Sequence, residues 1–333
     1  MILVTGATGL LGANLAAELK KRGQSVRALK RKGSKMTVSE KTFNRLNLSA
    51  SDVEWAEADI TDVFGLKDVM QDVEKIYHCA AVVSFNPKAA SHMMNVNVNG
   101  TANVVNTAIE CGVKKFCHVS STAALGRTDD GTIITEESHW RNSKHNSVYA
   151  ISKYGAEREV WRGIEEGLNA VIVNPCVILG AGDWSGDSSR VIGQVGKGLN
   201  FYPRGANAFV DVRDVASVMI KLMESDISKE RFLVVSENKT YKEIFSLAAE
   251  ALGKQKPKFR INKFMSELGW RAEWLRSAIT RKPPLITREM MQSSSQLWQY
   301  SNEKIRKAIG HEFIPVKKCI EKTCRIYLEE KKK

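Results

Sequence analysis

Tyr149 and Lys153 stand four residues apart in the stretch "SVYAISKYGAE", so on a helix they share one face. An unperturbed phenol titrates near pH ~10 and moves protons poorly at neutral pH. An ammonium group beside it, together with a cationic ligand ring, favours the phenolate and lowers that pKa. The pair alone is a weak signal, because surface helices contain it by chance. Upstream, "FCHVSSTAALG" ends an apolar run in Ser120, Ser121 and Thr122. A hydroxyl there would hold a substrate oxygen beside the phenol.

A second group of residues opens the chain. "MILVTGATGLLGANLAAEL" gives an apolar strand, then Gly6, Gly9 and Gly12, then a helical pattern. It lacks the basic start and unbroken apolar core of a signal peptide. Glycine lets the backbone turn and approach a ligand closely, and the first turn of the next helix aims free N–H groups at an anion. That describes a dinucleotide pyrophosphate site. The spacing is G-x-x-G-x-x-G rather than G-x-G-x-x-G, so it needs support from its surroundings.

The second strand supplies part of that support. A site for NAD ends this strand in a carboxylate that binds the ribose 2′-hydroxyl, whereas arginine accommodates the 2′-phosphate of NADP. Here the strand ends in Lys30, Arg31 and Lys32, with Lys35 close behind and no carboxylate nearby in sequence. A guanidinium grips phosphate bidentately. NADP(H) is therefore favoured over NAD(H), with Arg31 as the deciding residue; the alternative is a basic turn in solvent. After the third strand, "EADITD" places Asp59 to accept from an adenine amino group, Ile60 against the ring, and Asp62 to cap the next helix. "YHCAAVVSF" ends the fourth strand in Ala80 and Ala81, small enough for a flat ligand to pass. His78, inside that strand, reads as a core histidine rather than a base.

The elements that position these residues alternate. Strand-like runs at Ile2–Thr5, Ser25–Leu29, Val53–Glu57, Lys75–Cys79, Lys115–Ser120, Ala170–Asn174 and Arg231–Ser236 enclose helical stretches. The helices are expected at Leu11–Lys21, around Leu66–Val73, within Ala89–Cys111 and over Val148–Gly167. This alternation predicts an α/β fold with a doubly wound parallel sheet. After residue 236 the pattern changes: Tyr241–Leu252 reads as helix, then "KQKPKF" and "RKPPLI" break the chain. Trp184, Trp270, Trp274 and Trp298 lie outside the sheet elements. We expect a dinucleotide-binding domain of residues 1–175 and 208–236, and a smaller, helix-rich substrate lobe of 176–207 and 237–333.

The 333 residues carry a net charge of +13. Eight basic residues and no acidic one fall between Lys20 and Lys35, and "KQKPKFRINK" and the tail Lys331–Lys333 are further patches. No nucleic-acid signature accompanies them, so they read as solvated surface and no nucleic-acid partner is expected. No run approaches the ~18 apolar residues of a membrane span, and no membrane partner is expected. The six cysteines form no C-x-x-C, which suits a reduced cytoplasmic setting better than a disulfide framework and argues against a metal site.

Glycine motif, basic strand end, serine and Tyr/Lys pair, in this order, resemble an extended short-chain dehydrogenase/reductase of the NAD-dependent epimerase/dehydratase-like group, closest to the dihydroflavonol reductase-like branch. The likeness covers roughly the first 235 residues and also rests on "TGATGLLG", "ADITD", "HCAA", "NVNGT", "VSS", "YAISK", "NPCVILG" and "FVDVRDVA". It implies a Rossmann sheet, with Ser121 as hydrogen-bonding serine, Tyr149 as acid/base, and Lys153 as its partner and ribose anchor. It places Gly6, Thr8, Gly9, Leu10 and Leu11 at the pyrophosphate, and Pro175 and Val177 at the nicotinamide.

Two departures narrow the chemistry. Dehydratases of the group carry an acid and a base after the fifth strand, where this chain has Thr122, Ala123 and Ala124. Many sugar-nucleotide enzymes place arginine two residues before the aromatic of "FVDVRD", where this chain has Asn207, although Arg204 or Arg190 could substitute. The leading expectation is an NADP-dependent reductase of a ketone or aldehyde on a small organic molecule, a monomer or homodimer. The alternatives are a sugar or nucleotide-sugar epimerase using the same residues and, in another class, a non-catalytic dinucleotide sensor.

Overall fold

The computed structural model describes residues 1–126, 132–143, 146–186, 188–281, 284 and 287–332. Parts of "RKPPLI" (282, 283, 285 and 286) and the terminal Lys333 lie outside the described residues. Twelve strands are formed: β1 (Ile2–Thr5), β2 (Val26–Lys30), β3 (Glu54–Glu57), β4 (Lys75–His78), β5 (Lys115–Val119), β6 (Ala170–Pro175), β7 (Val177–Leu179), β8 (Phe201–Tyr202), β9 (Ala206–Asp211), β10 (Glu230–Val234), β11 (Glu237–Thr240) and β12 (Phe259–Arg260).

All seven strands expected from the sequence join one parallel sheet in the order β10-β6-β5-β4-β1-β2-β3. Its central strands are buried along almost their whole length because both faces are covered. Side chains alternate between faces along each strand. Val4, Tyr77, Cys117, Val171 and Val173 enter one core with the helices Leu10–Lys21 and Val212–Glu224. Leu3, Ile76, Phe116 and Ile172 enter the other, with the helices Val63–Val69, Gly100–Glu110 and Val148–Glu165. From β1 the chain winds outward through β2 and β3, then returns to build β4, β5 and β6 on the other side. The order reverses between β1 and β4, which opens a crevice at their carboxyl ends.

The expected helix within Ala89–Cys111 is divided. A 3-10 turn (Pro87–Ala89) and an α-segment (Ala90–Met94) lead into a π-turn (Asn95–Asn99), followed by Gly100–Glu110. Asn97, buried in that π-turn, receives the Val82 N–H (2.7 Å) and donates to Val82 O (2.9 Å) and Ser152 Oγ (2.9 Å). It ties the loop after β4 to the helix that bears Tyr149.

A second assembly stands over the strand ends. β9 pairs in parallel with β7 and antiparallel with β11, and β9 spans the position between residues 207 and 208. Leu179, Phe209, Ile244, Phe245, Ile320 and Tyr327 close a core between this small sheet and the helices Tyr241–Ala251 and Val316–Lys332. No helix among the described residues is long and apolar enough to cross a membrane.

Candidate active site

The three glycines after β1 have different constraints. Gly6 has φ +66°, and a Cβ there would stand 2.7 Å from Ala80 N. A Cβ on Gly12 would stand 2.3 Å from Gly6 O, because the helix presses against the turn. A Cβ on Gly9 would meet nothing nearer than Gly6 O at 3.4 Å, an ordinary contact. The fold therefore requires glycine at 6 and 12 but not at 9, where a close-lying ligand is the remaining reason. Gly9 is also the N-cap of the helix Leu10–Lys21, and no side chain caps it. Leu10 and Leu11 are buried, so they face an anion only through their N–H groups. These residues fit a dinucleotide pyrophosphate.

Arg31 and Lys35 are exposed, in a turn after β2 held by Arg31 N donating to Ser34 Oγ at 3.1 Å. The sequence suggests that no carboxylate stands near, and here the structure differs. Lys30 is paired with Glu57 in the β2–β3 register, which brings Asp59 from the end of β3 into the field of Arg31. Burial acts to raise the Asp59 pKa. The N–H and hydroxyl of Thr61 and the charges of Arg31 and His92 outweigh it and hold the carboxyl below its usual range. Asp62 caps the next helix, accepting from Phe64 N at 3.1 Å. Ile60 is buried. Ala80 N donates to Thr5 Oγ1 at 3.1 Å, so Ala80 lies opposite Gly6, and Ala81 follows it in the chain. Pro175 ends β6 and Val177 begins β7.

His78 is a structural residue. Its ring joins Thr5 Oγ1 (2.8 Å) to Thr101 Oγ1 (3.0 Å), and burial lowers its pKa to about 3.

The candidate hydroxyls after β5 separate by geometry. Ser120 is buried and donates to Glu157 Oε2 at 2.5 Å, whereas the Ser121 hydroxyl lies by the Tyr149 phenol and acts to lower its pKa. Ser121 Oγ also accepts from Ala123 N (3.1 Å), capping the turn Thr122–Ala124. Tyr149 lies in the first turn of the helix Val148–Glu165, with the Phe85 ring centroid 6.0 Å from its own.

Lys153, one turn on, is 2% exposed and donates to Val119 O at 2.7 Å. Burial lowers its pKa to about 8, while the charges of Glu157 and Cys79 oppose the shift. Burial raises the Tyr149 pKa, and the Ser121 hydroxyl acts against it.

Sequence reasoning missed the support beneath these residues. Glu157, 2% exposed, receives Ser120 Oγ, Asn174 Nδ2 (2.7 Å), Arg231 Nη1 (3.0 Å) and Trp161 Nε1 (3.3 Å). Asn174 Nδ2 also donates to Ser121 O at 3.1 Å, linking Glu157 to the serine backbone. Spacing alone could have found Glu157, since it follows Lys153 by four on the same helix face. A cavity of about 590 Å³ lies on the reverse face, lined by Ile151, Tyr154, Gly155 and Arg158 among others, away from Tyr149.

Residues 2–235 match the family described as NAD dependent epimerase/dehydratase. The chain is 34% identical to sterol demethylase protein B of Methylococcus capsulatus over 78% of its length and 76% of that protein's. It is 25% identical to cinnamoyl-CoA reductase 2 of Medicago truncatula over 99% of its length and 91% of that protein's. The crystal structure of gox2253 superposes with a TM-score of 0.82 at 28% identity, covering 99% of this chain and 98% of that one. With its parallel sheet, glycine turn and Ser121–Tyr149 pair, the chain belongs to the NAD dependent epimerase/dehydratase family, among the NAD(P)-dependent enzymes of the extended short-chain dehydrogenase/reductase type.

Proposed function

We propose that the protein is an NADP-dependent oxidoreductase that reduces a ketone or aldehyde on a small organic molecule through Ser121, Tyr149 and Lys153. The observation that carries this reading is the Ser121 hydroxyl, which lies close enough to the Tyr149 phenol to oppose the effect of its burial, with buried Lys153 one turn further along the same helix. When bound, the reduced nicotinamide supplies the hydride. Tyr149, with its pKa raised by burial, is protonated at neutral pH and gives its proton to the carbonyl oxygen. Ser121 donates to the same oxygen and then to the phenolate left behind. Lys153 stabilises that phenolate by its charge and anchors the ribose.

Gly6, Thr8, Gly9, Leu10 and Leu11 hold the pyrophosphate. Arg31 and Lys35 take the 2′-phosphate, Asp59 and Ile60 the adenine, and Ala80, Ala81, Pro175 and Val177 the faces of the remaining dinucleotide. Within the lobe of residues 176–207 and 237–333, the side chains that face the crevice supply the substrate contacts. Reduction is favoured over dehydration because Thr122, Ala123 and Ala124 offer no acid or base. It is favoured over nucleotide-sugar epimerisation because Asn207 stands where an arginine would grip a diphosphate, and its Oδ1 is occupied by Ala208 N at 2.8 Å. The likeness to a cinnamoyl-CoA reductase along nearly the whole chain supports the same choice.

The test is incubation with limiting cofactor, using candidate ketones and nucleotide sugars in parallel. A reductase consumes NADPH in step with product, and the nicotinamide absorbance falls. Many turnovers of a nucleotide sugar per cofactor, without net absorbance change, would replace this reading with the epimerase.

A further inference from the structure

Phe264, Leu268, Leu275 and Ile279 recur along the helix Lys263–Thr280 at intervals of four, seven and four. On a helix of 3.6 residues per turn they fall within a sector of about 60°. A helix of a soluble protein turns such a stripe inward. Here it faces out: the four side chains are 75%, 60%, 54% and 74% exposed, Trp274 beside them is 64% exposed, and no residue of the helix is buried. The same segment carries a second apolar feature. Phe259 and Phe201, paired across β12 and β8, are both exposed with ring centroids 5.7 Å apart.

Charge selects what covers this face. Residues 254–281 contain eight Lys or Arg and two Glu, a net +6 within 28 residues. Both acids are engaged, Glu267 by Arg271 (2.9 Å) and Glu273 by Arg276 (2.6 Å), and Lys256 pairs with Glu250 (2.8 Å). Lys254, Lys258, Arg260, Lys263 and Arg281 are exposed and enter none of the salt bridges among the described residues. A second copy seated on this face would set two +6 segments against each other. A nucleic acid would account for the cations but leave the apolar stripe in water. An anionic bilayer surface satisfies both, with the apolar side chains in the acyl boundary and the cations among phosphates.

We propose that residues 254–281 dock the protein reversibly on an anionic phospholipid bilayer, with Phe264, Leu268, Leu275 and Ile279 entering the interface. The expectation of no membrane partner rests on the lack of a spanning run, and a helix lying in the surface needs none. Docking also orients the molecule. The helix packs against Arg288–Ser294, whose Glu289 is held above the usual carboxylate range by burial, with the backbone N–H of Val148, the neighbour of Tyr149, acting against it.

The experiment is co-sedimentation of the full chain with phosphatidylcholine vesicles, and with vesicles that also contain phosphatidylglycerol, at low and high salt. Binding is expected to the mixed vesicles only, weakening with salt. The triple variant Leu268→Ser/Leu275→Ser/Ile279→Ser should bind less by on the order of tenfold or more. So should Arg260→Glu/Lys263→Glu. Circular dichroism and NADPH affinity should be unchanged in both. If the triple variant does not fold, Ile279→Ser alone provides the comparison. Absence of binding to mixed vesicles overturns the proposal. So does binding that survives loss of the apolar stripe, which would mark a plain polyanion site. A dimer that dissociates in the triple variant without any vesicle binding would assign the face to a second copy instead.

Discussion

The floor of the crevice and the helix Lys263–Thr280 are built on opposite terms. In the floor, Ser120, Ser121, Glu157, Asn174 and Arg231 hold one another through hydrogen bonds, and buried Lys153 is held by Val119 O. In the outer helix, ion pairs run within the helix itself and the apolar side chains touch solvent. A residue with several buried partners has its rotamer fixed by the protein, as a proton-transfer site requires. A residue without them is free to be fixed by something else. Changes in the floor should therefore act on chemistry and stability, and changes in the outer helix on neither.

Tyr149→Phe is the severest test of that contrast. It removes one hydroxyl and leaves the ring near Phe85, so the fold and cofactor affinity should persist. Turnover should fall by a factor on the order of 10²–10⁴. Steady-state reduction assays read this directly, and full activity would make the Tyr149–Lys153 spacing a coincidence.

Glu157→Gln comes next, because it acts on stability and pH profile together. Removing one partner of a buried ion pair leaves Arg231 uncompensated, at a cost of about 3–5 kcal/mol in denaturant titration. The Glu157 charge also opposes the burial that brings Lys153 down to about 8. In the parent enzyme, activity should decline as pH rises through that value and the ammonium is lost. Without the carboxylate the Lys153 pKa falls further, so the alkaline limb should move to lower pH. A limb that stays in place would make Glu157 a packing residue only. The stability arm has its own sign: a lysine pKa lowered in the folded state means that folding gains stability as pH rises from about 8 towards the ordinary lysine value.

Arg31→Asp probes the crevice at its exposed edge. Exchanging a charge-assisted contact for repulsion should weaken NADPH by on the order of tenfold to a hundredfold, with NADH little changed. Equal affinity of the parent for both cofactors would make Arg31 ordinary surface. The nearby Asp59 sharpens the measurement. Its carboxyl lies in the field of Arg31, so Asp59→Asn should strengthen the phosphate preference rather than abolish it.

The parts of the molecule legible in its sequence share a local cause. The strands are legible because each is a short, mainly apolar or β-branched run between helical stretches, and Gly6 because its turn lies within one stretch of chain. Tyr149 and Lys153 could be read because a single helix presents both. Asp59 beside Arg31 was not legible, since only the β2–β3 register joins them. Asn174, Arg231 and Glu157 meet across β6, β10 and a helix, and no spacing records that meeting. The π-turn at Asn95–Asn99 was read as plain helix because its periodicity differs from an α-helix over only one turn. The outer stripe was not legible, since its outward direction depends on which side of the helix packs against Arg288–Ser294.

That outward direction predicts the smallest effect. Leu275 is 54% exposed, so Leu275→Ser removes little packing and should alter stability by no more than about 0.5 kcal/mol. Ile172, wholly buried in β6, is the matched control: its truncation to Ala should cost about 2–5 kcal/mol. Thermal unfolding of the two variants side by side compares one apolar residue in each region. Turnover of a water-soluble substrate should also be unchanged in Leu275→Ser. A destabilisation approaching that of the Ile172 variant would mean that the stripe is covered within the molecule, and the division between floor and outer helix would fail at its simplest point.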